Sequence, residues 1–499
     1  MRHALGLSCI VVAAMCAAAP AGAAPQALGD YTDERRWPDS PAAQRARELL
    51  DVVNARDPQR TARFVGERFS ARFLTAMPAG EHVFVLTNLA AMTGGLEFYS
   101  VRRYDPPRPD GEIVVIVREK LAERWRGILL AVEDEPPHRI AGLSLAPARA
   151  PKDAPVPPPL DEPGLVAEAR AFVERLGAAD AFSGAVLLAR NGRVLMTHAC
   201  GEAEKGHNVP VRLDTRFNLG SMNKMFTAVA VAQLAERGRL SLDDRVSRYV
   251  DADWLLREAA EKIRVRDLLG HTSGLGSYFN EPFMAGARQR FRELADYRPL
   301  VSGEALQFEP GSSWSYSNTG FLLAGVVIEK AAGQDYYDYV RENIYKPAGM
   351  VHSDCYDVDR PVPNVAVGYS RAPERFGTTW ECNLFKHVIR GGPAGGGFST
   401  VEDLLRFDQA LRGGKLVSAA TLAQLWTPTP QSQGGYGLGF GIEQAPGEKI
   451  VGHGGGFPGI SAAFDMYLEG GWTVVVLSNY DQVAPTVTEK LRELIARVR

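Results

Sequence analysis

The sequence predicts an α+β protein in two parts: a small domain with helices first and an antiparallel sheet after them, then a larger domain of hairpins and helices. Three observations predict this. Helical periodicity in the first hundred residues gives way after Gly94-Gly95 to strand-like runs. A proline-rich stretch, residues 146–163, then interrupts the chain. Beyond it, two apolar runs meet at Asn191-Gly192, a strong hairpin signal, and a second pair meets at Gly470-Gly471 near the C-terminus.

At 499 residues the chain exceeds one ordinary domain. Hydrophobic content of 45% and charged content of 23% are normal for a globular protein. A net charge of −3, with no basic run, excludes a nucleic-acid partner and gives no attraction to an anionic membrane. Residues 1–23 read as a signal peptide: Arg2 and His3 are basic, Leu5 to Ala19 is apolar, and Ala21-Gly22-Ala23 is a cleavage site. Met15 before Cys16 argues against a lipoprotein signal. The mature protein is therefore expected to be periplasmic or secreted. No later apolar run approaches ~20 residues, so no transmembrane segment is expected. Cys200, Cys355 and Cys382 remain after cleavage, an odd number; a Cys355–Cys382 bridge is open, with inert buried thiols the preferred reading. The nine histidines form no cluster at ligand spacing, so no metal and no cofactor are expected.

In the first domain, residues 30–145, Ser40-Pro41 opens a helix whose stripe is Leu49, Leu50, Val52 and Val53, and a second helical piece runs from Pro58 to about Leu74. Strands follow at Leu96–Val101, Ile113–Val117 and Gly127–Val132. The order resembles nuclear-transport-factor-like and cystatin-like cones. With no catalytic constellation, this domain reads as a structural module, or one that binds a partner or mediates dimerisation. After the 146–163 linker, residues 164–499 form the larger domain. A helix spans Gly164–Leu176 and the Asn-Gly hairpin follows. His271, in Leu269-Gly270-His271-Thr272-Ser273-Gly274, reads as a turn residue, and 276–310 as an irregular insertion suited to line a pocket. Gly391 to Gly397 reads as scaffold with a flexible approach to the site. Ser399-Thr400-Val401-Glu402 reads as a capping box opening a helix to Leu411, and a last helix spans Val483–Val498.

Three stretches carry chemistry. Ser221 and Lys224 stand three apart at the start of an apolar helical run, so they share a helix face. A lysine with a lowered pKa can take the serine proton, and N–H groups at a helix start can hold an oxyanion. In Trp314-Ser315-Tyr316-Ser317-Asn318, Tyr316 could carry protons if nearby positive charge lowers its pKa, and Asn318 offers an amide to a substrate. In His453-Gly454-Gly455-Gly456, bare glycine backbone could approach a reacting carbonyl. Each alone reads equally as a cap, a turn or a bulge.

Together and in this order, Ser-x-x-Lys, Tyr-Ser-Asn and His-Gly-Gly resemble the serine β-lactamase and penicillin-binding protein family, nearest its class C-like branch. The resemblance covers roughly residues 165–499. It implies a β-lactamase/transpeptidase-like domain, an antiparallel sheet flanked by helices with a helical subdomain, acting on a small-molecule or peptide substrate. It makes Ser221 the nucleophile, Lys224 its base and Tyr316 the proton exchanger. It assigns Asn318, His453, Gly454, Gly455 and Gly456 to substrate binding, and the Ser221 and Gly456 N–H groups to the oxyanion hole. Where β-lactamases carry Lys-Thr-Gly, this chain has His453-Gly454-Gly455, a poorer receptor for an anionic carboxylate. Ester or amide hydrolysis is therefore expected, as in esterases, D-amino-acid amidases or peptidases, with weak or no β-lactamase activity. The alternatives are a class C-type β-lactamase or D-Ala-D-Ala carboxypeptidase, and a non-catalytic penicillin-binding sensor. An α/β-hydrolase is disfavoured because the chain lacks Gly-x-Ser-x-Gly.

Overall fold

The computed structural model describes residues 30–498; the expected signal peptide lies outside them. The chain divides into two compact units. The first takes the described chain through Ala181, with Ser370–Glu381 and the residues from Leu494. The second takes Phe182–Tyr369 and Cys382–Glu493.

In the first unit, β1 (Asp30–Glu34) is followed by α1 (Pro41–Ala55), α2 (Pro58–Arg68), α3 (Ala71–Ala76) and α4 (Ala79–Thr93). Then come β2 (Leu96–Asp105), β3 (Glu112–Glu119), β4 (Trp125–Val132) and β5 (Ile140–Pro147). The five strands form an antiparallel meander in chain order. Ser40 caps α1 through its hydroxyl, 3.3 Å from the Ala43 N–H, with Pro41 in the first turn. The helical piece expected over 58–74 is two helices. Phe69 turns extended, and Ser70 caps a new start through the Phe73 N–H. α4, β1 and β5 escape the sequence reading, and β5 runs two residues into the proline-rich stretch. The core between helices and sheet holds Val65, Phe69, Val115, Val117, Leu130 and Ile140, all essentially solvent-free. Across β1 and β2, Asp33 and Arg102 are register partners and form a buried two-point ion pair at 2.9 and 3.0 Å. α5 (Glu162–Ala178), capped by Asp161, groups with this unit.

The second unit is built on a six-stranded antiparallel sheet. Its strands are β6 (Gly184–Arg190), β7 (Arg193–Cys200), β8 (Gly441–Ala445), β9 (Glu448–Phe457), β10 (Ile460–Tyr467) and β11 (Trp472–Ser478), in the order β8-β9-β10-β11-β6-β7. The β6–β7 turn is the expected one: Asn191 and Gly192 both have positive φ, 50° and 76°, which matches the twist of the flanking strands. β11 pairs with β6, Val476 opposite Val186, so the last strand closes on the first and brings β9 into the same sheet.

α6 (Asn223–Glu236) is buried on every side from Asn223 to Leu234. It packs on the helix Asn318–Ala332, which is also mostly buried. Two apolar helices side by side form the centre of this unit, as expected for helices without a solvent face. The helix Val401–Arg412 covers β6 and β11. Its cap is Thr400, accepting from Asp403, one residue later than the expected box; the Ser399 hydroxyl pairs with Ser353 at 2.7 Å instead. Cys355 and Cys382 are not joined. Cys355 is a buried thiol 3.3 Å from the Asn223 side-chain nitrogen. Among the described residues, no helix is long and apolar enough to cross a membrane.

Candidate active site

Ser221 lies in a 3₁₀ turn, Gly220–Met222, that runs directly into α6. The turn sits against β9 at backbone contact. Gly220 has φ +51°, and a Cβ there would lie 2.9 Å from the Gly456 nitrogen. A Cβ on Gly455 would lie 1.8 Å from the Leu219 carbonyl oxygen and 3.2 Å from the Ser221 nitrogen. Side chains at either position would prevent this approach. The Ser221 and Gly456 backbone nitrogens therefore meet at one junction, where the sequence expects an oxyanion hole.

One helical turn after Ser221, Lys224 is solvent-free. Its Nζ is 3.2 Å from the Ser221 hydroxyl, 2.9 Å from Asn318 Oδ1 and 2.5 Å from the Ala394 carbonyl oxygen. The last two can only accept hydrogen bonds. Asn318 Nδ2 donates to Ser277 Oγ at 3.1 Å. A neutral amine has two N–H bonds and one lone pair. With both hydrogens committed to Asn318 and Ala394, the lone pair is left for the Ser221 O–H. Burial pushes the Lys224 pKa well below that of an ordinary lysine, in keeping with this neutral form.

Asn318 can take this role because it does not cap its own helix. Ser317 does that, accepting from the Gly320 N–H at 2.8 Å. Tyr316, next in the loop, exposes 37% of its surface, with Lys224 Nζ 4.8 Å from its ring centroid. The expected lowering of its pKa by positive charge does not occur. Crowding pushes the phenol up to about 12, against a smaller lowering by its hydrogen bond with Ser221. Tyr316 thus holds its proton and can act as an acid.

His453 is neutral, held down to about 4 first by burial and then by Lys224. Its Nδ1 is 2.5 Å from the Gly454 carbonyl and its Nε2 2.9 Å from the Tyr436 hydroxyl. The carbonyl only accepts, so Nδ1 carries the proton and Tyr436 donates to Nε2. Both ring nitrogens are occupied. Gly454 faces open space, where a Cβ would meet only the Ala462 carbonyl oxygen, at 3.5 Å.

Beside Ser221 opens a narrow cavity of about 70 Å³ that Asn318 and Gly456 also line. Its walls are Tyr278, Phe279, Phe283, Val388, Phe457 and Ile460, and no Asp, Glu, Lys or Arg lines it. Phe279 and Phe457 stack across it, ring centroids 5.6 Å apart. His387 also lines it, its pKa lowered by burial. The insertion at 276–310 does line a pocket, through Tyr278, Phe279 and Phe283. Sequence reasoning missed Ala394, Ser277 and Tyr436. Ala394 acts through a carbonyl, which leaves no residue-type signal. Of its glycine-rich surroundings, 391–397, expected to be scaffold with a flexible approach to the site, Ala394, Gly395 and Gly396 line the cavity.

The sequence model of the Beta-lactamase family matches residues 169–497. Penicillin-binding protein 4* of Bacillus subtilis (strain 168) is 33% identical over 323 residues, which are 62% of this chain and 70% of that protein. Among solved structures, a penicillin binding protein from Bacillus halodurans aligns with a TM-score of 0.59 and 28% identity, covering 67% of this chain and 98% of that one. A D-stereospecific amidohydrolase from Streptomyces sp. aligns with a TM-score of 0.55 and 30% identity, covering 66% and 97%.

Proposed function

Because this chain belongs to the Beta-lactamase family, we propose that it is an exported serine hydrolase that cleaves esters or amides through an acyl-enzyme on Ser221. The observation that carries this reading is the Lys224 amine. Its Nζ stands 3.2 Å from the Ser221 hydroxyl in a dry site, with two acceptors, Asn318 Oδ1 and the Ala394 carbonyl, beside it to take its hydrogens.

Lys224 takes the Ser221 proton as Oγ attacks the carbonyl carbon, and the oxyanion is held by the Ser221 and Gly456 N–H groups. Tyr316 gives its phenolic proton to the leaving group and regains one from the Lys224 ammonium, so the acyl-enzyme forms with no net change in protons. Water then attacks the acyl carbonyl, passes its proton back along the same path and frees the acid. A neutral His453 with both nitrogens engaged, and a cavity without charged walls, favour an uncharged apolar acyl group over a carboxylate-bearing one. Gly454 and Gly455 serve as backbone walls in this reading. Export rests on the leader sequence. The division into 30–145, linker 146–163 and 164–499, with the first domain as a partner-binding or dimerising module, belongs to the same proposal.

The test sets the mature protein against a p-nitrophenyl short-chain ester, a chromogenic cephalosporin and a D-alanyl-D-alanine peptide, with Ser221→Ala as the blank. Ester or amide turnover lost in Ser221→Ala supports the proposal; turnover retained in that variant refutes it. The names of the penicillin-binding relatives favour a second reading, a D-alanyl-D-alanine peptidase, which predicts that the peptide outruns the ester. Stable labelling of Ser221 without turnover would instead indicate a sensor.

A further inference from the structure

His271 stands in the left-handed region, φ +59°, and is completely buried. A side chain there costs strain that glycine avoids, so a turn alone is better served by glycine. The two hydrogen bonds of the residue both reach the loop around Tyr316. Its carbonyl accepts from the Ser315 N–H at 2.9 Å, and its Nδ1 accepts from the Ser317 N–H at 3.0 Å. Between them, the Tyr316 ring lies against the imidazole, centroids 4.3 Å apart. The opposite neighbours are Tyr436 at 4.7 Å, the residue that orients His453, and Phe321 at 5.1 Å, one helical turn after Asn318. Because Nδ1 accepts, the neutral ring carries its proton on Nε2. That nitrogen is buried without a hydrogen-bond partner, an unmet polar group beside the reacting residues.

We propose that His271 is a positioning residue: it fixes the Tyr316-Ser317-Asn318 segment so that the Tyr316 phenol reaches Ser221 and Asn318 Oδ1 reaches Lys224. The proposal rests on the reading of Tyr316 and Lys224 as proton carriers. Ser317 is held twice, its N–H by His271 and its hydroxyl between the Gly320 N–H and the Gly276 carbonyl. The first turn of the following helix cannot slide, and Asn318 is delivered to the lysine. The imidazole also fills the space behind the Tyr316 ring.

The experiment compares His271→Gly and His271→Asn with the wild type in the full mature chain. It measures kcat and KM on the ester, and counts competent sites by fluorophosphonate labelling of Ser221. His271→Gly relieves the backbone strain, yet kcat per labelled site is expected to fall on the order of 100-fold, the effect of an ångström-scale misplacement, with KM changed by no more than about threefold. Asparagine tolerates the left-handed backbone, and its Oδ1 can replace Nδ1 as the acceptor from Ser317. His271→Asn should therefore recover about tenfold of the loss. Wild-type kcat per labelled site in His271→Gly, or a loss confined to the labelled fraction or to KM, overturns the proposal. A loss of the same size in His271→Asn overturns the hydrogen-bond part and leaves the ring contact as the positioning element. If the wild type neither labels nor turns over, the functional reading fails, and this inference fails with it.

Discussion

Replacing Gly455 with alanine tests how closely β9 must approach the Ser221 turn. The new methyl would sit 1.8 Å from the Leu219 carbonyl oxygen and 2.8 Å from its carbon. Ordinary contact needs about 1.5 Å more, and both partners are backbone, so no side-chain rotation can relieve the clash. Either β9 or the Ser221 turn must move, and with it the alignment of the Ser221 and Gly456 N–H groups. A misplacement of about 1 Å costs on the order of 100-fold in rate, about 2.7 kcal/mol of barrier. Gly455→Ala should therefore lower kcat/KM by ~100-fold or more. Gly454→Ala, whose methyl meets only one carbonyl at 3.5 Å, should lose no more than about tenfold. The assay is ester hydrolysis normalised to folded protein by circular dichroism and to Ser221 labelling. Equal activities for the two alanine variants would refute the close-approach argument and the placing of the oxyanion hole at this junction.

The Lys224 pairing predicts a pH profile. The protonated amine is inactive and burial lowers its pKa, so kcat should rise with pH through a limb well below 10.5 and then stay flat, because Tyr316, pushed up to about 12, keeps its proton. Rates measured from about pH 5 to about pH 11 check this; a limb centred near 10.5 would show that burial does not lower the lysine pKa. In the first unit, Asp33→Ala strands the buried Arg102 guanidinium and should destabilise that unit by about 3–5 kcal/mol in urea unfolding. The double change Asp33→Leu with Arg102→Met should recover most of the loss. A single-variant loss under about 1 kcal/mol would mean that water reaches the arginine.

Much of this was legible in the sequence for a local reason. A three-residue spacing on a helix sets the Ser221–Lys224 distance whatever else the chain does. The Asn191-Gly192 turn follows from backbone preferences at two positions, and the apolar runs of β6 and β11 follow from burial on both faces. The helix capped by Thr400 shows where local reading stops. Ser399 and Thr400 are both competent caps, and Ser353 from elsewhere in the chain takes Ser399 out of the competition. α4 was missed because its partly apolar sequence has no clean amphipathic stripe.

The sequence by itself determined which chemistry is on offer: a serine, a lysine, a tyrosine and a glycine strand in family order, with a histidine where a lysine would bind carboxylates. Only the tertiary structure decided their states. Lys224 Nζ meets Ser221 in company with two acceptors, Asn318, 94 residues on, and Ala394, 170 residues on, that the fold brings to it. Tyr316 holds its proton because desolvation there outweighs the effect of its hydrogen bond with Ser221. His453 is neutral because burial, and then Lys224, lowers its pKa, and it is engaged because Tyr436 and its own backbone occupy the ring. Spacing is a property of neighbours along the chain, whereas protonation depends on which groups fold around a site and exclude water from it.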